Sequence, residues 1–427
     1  MSHALDGNHH RRSISCLDPS ELTTTLPRRA STSWGSTSSI LSVRLDWESI
    51  VVLIILPAYG IFQSFQTHLQ TATAVWSLAL CLWTGIGITA GYHRLWAHTS
   101  YSATLPLRIF LALGGAAASQ RSIRWWARGH RAHHRFTDTE KDPYSIHKGL
   151  WHSHIGWMLV KPDLKYAARV KVQDLDCDPV VMWQHKYYTI LLLCFGIGLP
   201  TAVAGIYWGD WWGGLIYAFI LRMFIIHQVT FCVNSVAHTL GEQPYDSTSS
   251  PRDHLLTALL TLGEGYHNFH HRFPCDYRNG VEWYHYDPTK WFIRGCKALG
   301  LAYDLKAFPT QVIRDSRREA FTGPTLNHKQ SVSGHENSIQ ALPVVTWDEF
   351  TRAANYSERR LLIVISGVIH DVTNFAKSHP GGSFILEAEQ GTDVTTLFNG
   401  GVYNHSKAAR KMLASMRVAV LRQDENH

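Results

Sequence analysis

Four apolar stretches, each almost free of charged residues, constrain the fold of this 427-residue chain more than any other feature of its sequence. They are Ser49–Phe65, Thr71–Tyr92, Tyr187–Gly209 and Trp211–Val233, and only the last contains an acidic or basic residue, Arg222. A helix that crosses a bilayer needs about 20 apolar residues, with a range of about 17–25. The sequence therefore predicts four transmembrane helices in two hairpins. Two buried helices in a soluble enzyme are the disfavoured alternative, because such helices are rarely this long and uncharged.

The distribution of basic residues predicts how these helices are oriented. The two hairpin turns, Gln66–Gln70 and Trp208–Gly213, contain no Lys or Arg, and the basic residues other than Arg222 lie in the tail, the central loop or the C-terminal part. The positive-inside rule then places both termini and the central loop in the cytoplasm. A fifth apolar stretch, Ile109–Ala118, is too short to span a bilayer, so its two flanks lie on the same side.

Composition divides the rest of the chain and excludes some classes of protein. Charged residues make up only 17% of the chain, which argues against a disordered protein. The seven Cys form no CxxC pair, so neither a disulfide framework nor a thiolate zinc site is indicated. We expect a disordered tail over residues 1–44, a membrane domain over 45–310 and a polar linker over 311–342. A small separate domain follows over 343–424, which includes the strand-like run Arg360–Ile369.

The 26 His residues are the outlier of the composition, and many of them are clustered. Four segments, HRLWAH, HRAHH, NSVAH and HNFHH, contain nine His and one Asn. Positions i, i+3 and i+4 share one face of a helix, so each HxxHH segment presents three imidazoles in one direction. These ten residues are His93, His98, His130, His133, His134, Asn234, His238, His267, His270 and His271.

Membrane topology predicts that the four clusters meet. Two spans separate HRAHH from HNFHH, and the short stretch does not cross, so every cluster lies on the cytoplasmic side. Ten ligands are too many for one metal ion but suit two ions with five or six ligands each. A nitrogen-rich site without thiolates suits iron, although imidazole also binds zinc, copper and nickel. For the His residues outside these segments we expect ordinary surface or core roles: His147, His152, His154, His185, His227 and His285.

In this order around two hairpins, the four segments resemble those of the membrane fatty acyl-CoA desaturases of the stearoyl-CoA type. The resemblance covers about Asp46 to Pro309 and includes GEGYHNFHHRFPCDYR, which runs from Gly263 to Arg278. It implies a centre of two Fe ions, O2 as oxidant, and insertion of a cis-Δ9 double bond into palmitoyl- or stearoyl-CoA. Front-end desaturases have Gln at the first position of the third segment, where this chain has His267, which favours the Δ9 class. The resemblance names no catalytic residue beyond the metal ligands.

The C-terminal domain carries a second metal-binding pattern. His379 lies in HPGG, His405 lies in FNGGVYNHS, and GVIHDVTNF precedes both. Together these segments resemble cytochrome b5, in which the two matching His residues bind the iron of haem b from opposite sides. An iron with both axial positions filled by protein passes electrons but does not readily bind O2. The C-terminal fusion is similar to that of fungal Δ9 acyl-CoA desaturases and implies NADH-cytochrome b5 reductase as a partner.

The same resemblance implies four substrate-binding residues. Arg128 aligns with a position that contacts CoA, and Gln120, Trp126 and Thr230 match residues that shape a bend in the acyl tunnel. Gly129 stands where an acidic residue is common. An interfacial anchor is the alternative for Trp126. For most of the arginines around the second segment, contact with anionic lipid is favoured over contact with the phosphates of CoA: Arg121, Arg124, Arg128, Arg131 and Arg135.

The expected fold is mainly α: four transmembrane helices below a cytoplasmic helical di-iron cap, with a small α+β haem domain. The expected function is O2-dependent Δ9 desaturation of long-chain acyl-CoA in the endoplasmic reticulum membrane, with membrane lipid and no nucleic acid among the partners. Two alternatives stay open at this point. One is a di-iron fatty-acid or sterol hydroxylase, which shares the His segments, and the other is a metal- or haem-binding membrane scaffold without enzyme activity.

Overall fold

The computed structural model describes residues 44–161, 170, 172–322, 342–356, 360–376, 379, 386–387, 389–399, 405 and 407–422. The predicted tail up to residue 43 and the part of the predicted linker over residues 323–341 lie outside the described residues.

Four helices in the described part of the chain are long and apolar enough to cross a membrane, which confirms the prediction. Large apolar side chains such as Phe62, Val75 and Ile206 are exposed on them, as expected of surfaces that contact lipid. We call these helices the first to fourth spans: Trp47–Ser64, Thr71–Ala97, Tyr188–Trp208 and Trp211–His238.

Each span contains a π-helical segment, in which backbone hydrogen bonds join residues five apart. Such segments interrupt α-helices frequently at functional sites. The longest one forms the end of the second span and carries the first His of HRLWAH. The segments are Val51–Ile55, Gly87–Ala97, Leu192–Gly198 and Gly214–Leu221.

The short apolar stretch forms the helix Leu105–Ala117, too short to span, as predicted. The second and third His segments lie on the helices Ile123–Phe136 and His267–Arg272, which we call the second-box and third-box helices. Shorter helices complete this part of the chain: Ile146–Lys148, His152–Gly156, Trp157–Leu159, Gln173–Asp176, Pro179–Lys186, Leu255–Leu260 and Pro288–Ala298.

The largest core lies where the second span, the short apolar helix and the second-box helix meet the helices Pro179–Lys186 and Pro288–Ala298. Fully buried side chains from these elements, including Leu111, Ile123 and Val181, pack in one cluster. An antiparallel pair of short strands, Ser102–Ala103 and Ala302–Tyr303, joins the end of the second span to the end of this domain. The core therefore fixes the ends of the helices that carry the His segments.

The beginning of the predicted linker is a helix, Thr310–Thr322, rather than an irregular polar segment. Its Ile313 is buried with Tyr245, Phe269 and Phe273, which are residues of the third-box helix and its surroundings. Val312 packs against the same cluster, so two neighbouring apolar residues anchor the segment, and the polar composition of the stretch as a whole does not reveal such an anchor.

The C-terminal part has a four-stranded sheet flanked by helices. In sheet order the strands are Val344–Val345, Arg417–Leu421, Val368–Asp371 and Leu362–Ile365, and only the first pair is parallel. Side chains of the last strand alternate between two small cores, one around Phe350 and one around Val372, because successive residues point to opposite faces. The described helices are Trp347–Tyr356, Thr373–Ala376, Thr395–Phe398 and Lys407–Ala414. A mainly helical membrane domain with a small α+β region confirms the predicted fold class.

Candidate metal centre

The π-helical end of the second span explains how both His of HRLWAH face the same point. In an α-helix, residues five apart point in directions roughly 140° apart. Here the amide of His98 donates to the carbonyl of His93 at 3.1 Å, the five-residue spacing of a π-helix, so the two side chains share a face. Their ring centroids are 4.8 Å apart.

The three imidazoles of each HxxHH segment divide between two groups of nitrogen atoms. On the second-box helix the first and last His lie in the first group and the middle His lies in the second. On the third-box helix the first and last His lie in the second group and the middle His lies in the first. In each group the candidate ligand atoms lie within 4.8 Å of one another. The first group is His93, His98, His130, His134 and His270, and the second is His133, His238, His267 and His271.

Distances within the groups fit metal coordination. In the first group the Nε2 atoms of His93 and His270 are 3.0 Å apart, and those of His98 and His130 are 2.8 Å apart. In the second group the Nε2 atoms of His238 and His267 are 3.1 Å apart. Two imidazole nitrogens bound at right angles to one ion, at bonds of about 2.1 Å, are about 3.0 Å apart. The residues present therefore fit two ions, each held by nitrogen.

Protonation favours metal binding as well. Burial, reinforced by the neighbouring imidazoles, lowers the pKa of six of the His that lie outside the four spans well below the ordinary value, so they are neutral at physiological pH. Neutral imidazole is the form that binds metal. The six are His98, His130, His134, His267, His270 and His271.

One His in each group contacts a buried carboxylate through its other ring nitrogen. Nδ1 of His93 lies 2.8 Å from Oε2 of Glu264, and Nδ1 of His133 lies 2.9 Å from Oδ1 of Asp142. A carboxylate at this position fixes the tautomer and the ring orientation of a metal-binding His. Neither carboxylate is predicted from the sequence. Glu264 precedes the third segment by three residues, a spacing that could have drawn attention to it, whereas Asp142 has no comparable signal.

Glu264 belongs to a buried ionic network beneath the first group. Arg94 contacts Glu264 at 2.9 Å and Asp287 at 2.9 Å, and all three side chains are almost fully buried. Burial raises the pKa of Glu264, but Arg94 and His93 beside it outweigh burial, so the net pKa lies below its ordinary value. The carboxylate is therefore ionised and able to accept from His93.

Hydroxyl groups support two further candidate ligands. The Tyr144 hydroxyl lies 3.3 Å from Nδ1 of His130, and its ring stacks on His133 of the other group with centroids 4.4 Å apart. Ser250 Oγ lies 2.6 Å from Nδ1 of His238 and donates to Asp138. Tyr144 thus contacts both groups, which the sequence did not indicate.

Asn234 lies on the fourth span, one helical turn before His238, and its side chain is half-buried. The second group has four His where the first has five, so an oxygen donor beside it would balance the two sets. Of the six His expected to have ordinary roles, none belongs to either group in the described part of the chain. His154, for example, contacts Ser235 at 2.8 Å and Gln228 at 2.9 Å.

The three residues expected to shape an acyl tunnel are joined by hydrogen bonds. Nε2 of the Gln120 side chain donates to Thr230 Oγ1 at 2.8 Å, and Nε1 of Trp126 donates to Oε1 of Gln120 at 3.1 Å. The Trp126 ring stacks on His130 with centroids 5.0 Å apart. The structure therefore connects these three residues to the first group.

Three of the five arginines around the second segment are engaged within the protein. Arg124 pairs with Asp176 at 2.5 Å, Arg131 pairs with Asp174 at 2.6 Å, and Arg121 lies 3.4 Å from Asp46. Lipid phosphate is therefore not needed to explain these three, in contrast to the expectation from sequence.

Arg128 is exposed on the second-box helix. The neighbouring Gly129, in place of an acidic residue, leaves space, because a Cβ added there would meet nothing within 4 Å. This surface can admit a phosphorylated head group without repulsion from a carboxylate at position 129.

Both His residues expected to bind haem are described and half-buried. Nδ1 of His405 donates to the carbonyl of Phe398 at 3.0 Å, and the two rings stack with centroids 4.2 Å apart. This bond makes Nε2 the nitrogen suited to bind iron. The ring of His379 packs against Phe375, with centroids 5.7 Å apart. The residues present fit a haem.

These features define a class: an integral membrane protein with a two-metal centre built from histidine and a small haem-binding domain. Comparison with known proteins identifies the family within this class. The fatty acid desaturase family model matches residues 69–306, and the model of the cytochrome b5-like heme/steroid binding domain matches residues 346–422.

Relatives agree with both matches. The chain is 45% identical over 385 residues to the probable acyl-CoA desaturase of Schizosaccharomyces pombe, covering 88% of this chain and 78% of that protein. It is 43% identical over 388 residues to acyl-CoA desaturase 1 of Saccharomyces cerevisiae, covering 90% and 75%. Human stearoyl-CoA desaturase is 40% identical over 273 residues, covering 62% and 75%. The chain belongs to the fatty acid desaturase family and is an acyl-CoA desaturase with a fused cytochrome b5 domain. The predicted enzyme class and both predicted cofactors, a di-iron centre and haem, are supported.

Proposed function

We propose that the protein introduces a cis-Δ9 double bond into saturated long-chain acyl-CoA, with palmitoyl- and stearoyl-CoA as substrates and O2 as oxidant. The observation that carries the proposal is the pair of imidazole groups with the Gln120–Trp126–Thr230 chain beside the first of them. Breaking an unactivated methylene C–H bond is beyond any amino-acid side chain, so the difficult chemistry belongs to the cofactor. When bound, two irons supply the activation of O2 and the removal of two hydrogens.

We assign the metal ligands to the two groups that the structure brings together. His93, His98, His130, His134 and His270 hold one iron, and His133, His238, His267 and His271 hold the other, with Asn234 as a further donor to the second. The protein contributes the positions of these side chains, their neutral protonation state and the carboxylates of Glu264 and Asp142. No catalytic residue beyond the ligands is needed.

The substrate is bound at both of its ends in this proposal. Arg128, exposed beside open space at Gly129, binds the phosphates of CoA, because guanidinium pairs with phosphate through two parallel hydrogen bonds. Gln120, Trp126 and Thr230 bend the acyl chain so that the reacting methylenes lie next to the first group. Desaturation at one position then follows from positioning, since only C–H bonds held beside the metals react.

Electrons reach the metals through the fused domain. His379 and His405 would hold haem b, which would supply electron transfer between NADH-cytochrome b5 reductase and the metal centre. We place the domain boundaries at 45–310 for the desaturase and 343–424 for the haem domain, joined by the intervening segment. The tether keeps the electron carrier at a high effective concentration. The enzyme resides in the lipid of the endoplasmic reticulum membrane, with both termini in the cytoplasm.

Fatty-acid analysis after expression in a desaturase-deficient host tests the proposal. Wild-type chain should restore Δ9 monounsaturated C16 and C18 fatty acids, and His133→Ala or His270→Ala should abolish them while the protein still inserts into membranes. Hydroxylated products, or a double bond at another position, would contradict the proposal. Full activity in either His variant would remove that residue from the ligand set.

A further inference from the structure

A five-residue turn, residues 118–122, carries Gln120 at its centre and joins the short apolar helix to the second-box helix. The residues on both sides of Gln120 adopt left-handed backbone conformations, with φ of 62° at Ser119 and 67° at Arg121. This conformation is uncommon for residues other than glycine. Such a turn persists only when its surroundings determine it, and strained segments of this kind concentrate at functional sites.

The fourth span holds the turn at successive points. Both terminal nitrogens of Arg222 donate to the carbonyl of Ala117 at 3.1 Å. Farther along the span, Nε2 of His227 donates to the carbonyl of Ser119 at 3.1 Å. Farther still, Thr230 accepts from Gln120 itself. Three polar side chains of one helix thus contact the end of the short apolar helix and then two residues of the turn, in the same order along the chain.

The second and third spans hold the other side of the turn. The Tyr92 hydroxyl donates to the carbonyl of Arg121 at 3.1 Å, and the amide of Arg121 donates to the Tyr188 hydroxyl at 2.9 Å. The first span also contacts the turn, because the Arg121 side chain donates to Ser49 Oγ at 3.2 Å, so hydrogen bonds from all four spans hold it.

The guanidinium group of Arg222 donates hydrogen bonds to backbone carbonyl groups. Its side chain is 1% exposed, and it also donates to the carbonyls of Ala218 at 2.8 Å and Gly196 at 3.3 Å. In the described part of the chain no carboxylate pairs with it. The carbonyl of Ala117 ends the short apolar helix, where the helix dipole favours a positive charge. A buried cation within a membrane-spanning segment is costly, and here it stabilises the end of this helix. The carbonyl of Ala117 is thus a partner of Arg222 that the sequence did not reveal.

We propose that Arg222 and His227 are positioning residues that determine where the double bond is placed. The inference rests on the proposed function, in which Gln120, Trp126 and Thr230 shape the acyl tunnel. Gln120 bonds to Trp126, whose ring stacks on His130, so a displaced turn shifts the bend relative to the metal groups. Misplacement by about 1 Å can cost a hundredfold in rate, and it brings neighbouring C–H bonds within reach of the metals.

Paired substitutions at His227 test this in the full-length chain, expressed in the desaturase-deficient host and also purified. His227→Leu cannot donate to Ser119, so we expect the double bond to spread over neighbouring carbons, with turnover reduced roughly tenfold or more. His227→Gln retains an N–H donor and should restore a single position. Ile225→Ala, on a side chain that is 50% exposed, is the matched control and should behave as wild type. Iron content should be unchanged in all three variants.

Arg222→Lys is the second test, since it keeps the charge but replaces the forked guanidinium that bonds twice to Ala117. Double-bond positions are mapped by mass spectrometry of derivatised products, and iron is measured on the same preparations. A single unchanged position in both His227→Leu and Arg222→Lys, with normal iron, would overturn the inference. Loss of iron or of membrane insertion in both variants would also overturn it, by assigning these residues to folding. If wild type makes no Δ9 product, the proposed function itself fails.

Discussion

A His can bind a metal ion only if the correct ring nitrogen faces that ion. In each of the two groups a buried carboxylate fixes this orientation for one His: Glu264 does so for His93, and Asp142 does so for His133. Neither was found from the sequence, because the carboxylate contacts arise from tertiary packing. The His residues themselves were found because their spacing is local.

This arrangement predicts that the two metals can be lost separately. Glu264→Gln should lower iron affinity at the first group, and Asp142→Asn at the second, each roughly tenfold to a hundredfold, because a carboxylate partner orients the imidazole and strengthens its basicity. Non-haem iron per chain should fall towards half of the wild-type content in both variants after dialysis against a weak chelator. Mössbauer spectra of the iron-57 proteins should show that each variant loses a different site.

The two variants serve as controls for each other, because they keep the same size and differ only in which group they affect. Equal loss from both sites in each variant would indicate a general folding defect and would contradict independent anchoring. Retention of wild-type iron by both would show that the carboxylates are not needed to orient the ligands.

A buried carboxyl group of a different kind supports the third-box helix. Oδ1 of Asp253 accepts the backbone amides of Asn268 at 2.8 Å and Phe269 at 3.2 Å. Burial, with the charge of Glu242 acting in the same direction, raises the pKa of Asp253 to about 7, although these amides and Arg317 oppose the increase. The group therefore holds a proton in the folded chain at pH values where it is ionised in the unfolded chain.

The sign of the pH effect follows from this difference in bound protons. Between about pH 4 and 7 the folded state binds more protons at Asp253 than the unfolded state, so its contribution to stability falls as pH rises through that window. Asp253→Asn removes this titration and keeps an oxygen acceptor. We expect the Tm of wild type relative to Asp253→Asn to fall between pH 5 and pH 8, as measured by thermal unfolding in detergent. A constant difference in Tm would contradict the raised pKa.

At the scale of secondary-structure elements, the sequence predicted what depends on local pattern. The four spans lie within a few residues of the predicted stretches, because length and lack of charge are properties of the sequence alone. The π-helical end of the second span was not predicted, since helical periodicity assumes 3.6 residues per turn, and this departure places His93 and His98 on one face. The division of each HxxHH segment between two groups also escaped prediction, because it depends on where the two box helices face each other.

The close approach of two apolar helices makes the same region sensitive to small changes in volume. A Cβ added at Gly87 would lie 2.4 Å from the backbone nitrogen of Gly115 on the short apolar helix. We expect Gly87→Ala to separate these helices and cost about 1–3 kcal/mol of stability, with less folded protein and less iron bound. Gly295→Ala is the control, because a Cβ there would meet nothing within 4 Å. Thermal unfolding and iron content of the two variants check this, and equal values would show that the contact relaxes without cost.

At the scale of the whole molecule, two metal-binding units with different tasks share one chain. Histidine in the membrane domain is arranged in convergent groups, which suits chemistry at the metal. His379 and His405 instead lie in a separate small domain with its own sheet and its own cores. The family comparisons match these two parts separately, at residues 69–306 and 346–422. Each part can therefore be impaired without destroying the other, and this separation permits a direct test of electron supply.

His405→Ala should remove the haem absorbance while leaving the iron of the membrane domain in place, because the bond to Phe398 and the stacked ring are confined to the small domain. Activity with NADH and reductase should fall by at least tenfold, since the tethered carrier is lost. Free cytochrome b5 added in excess should restore part of the turnover, because tethering raises concentration and adds no chemistry of its own. His133→Ala, measured in parallel, should keep its haem spectrum and gain nothing from free cytochrome b5. Unchanged activity of His405→Ala without added carrier would show that electrons bypass the fused domain.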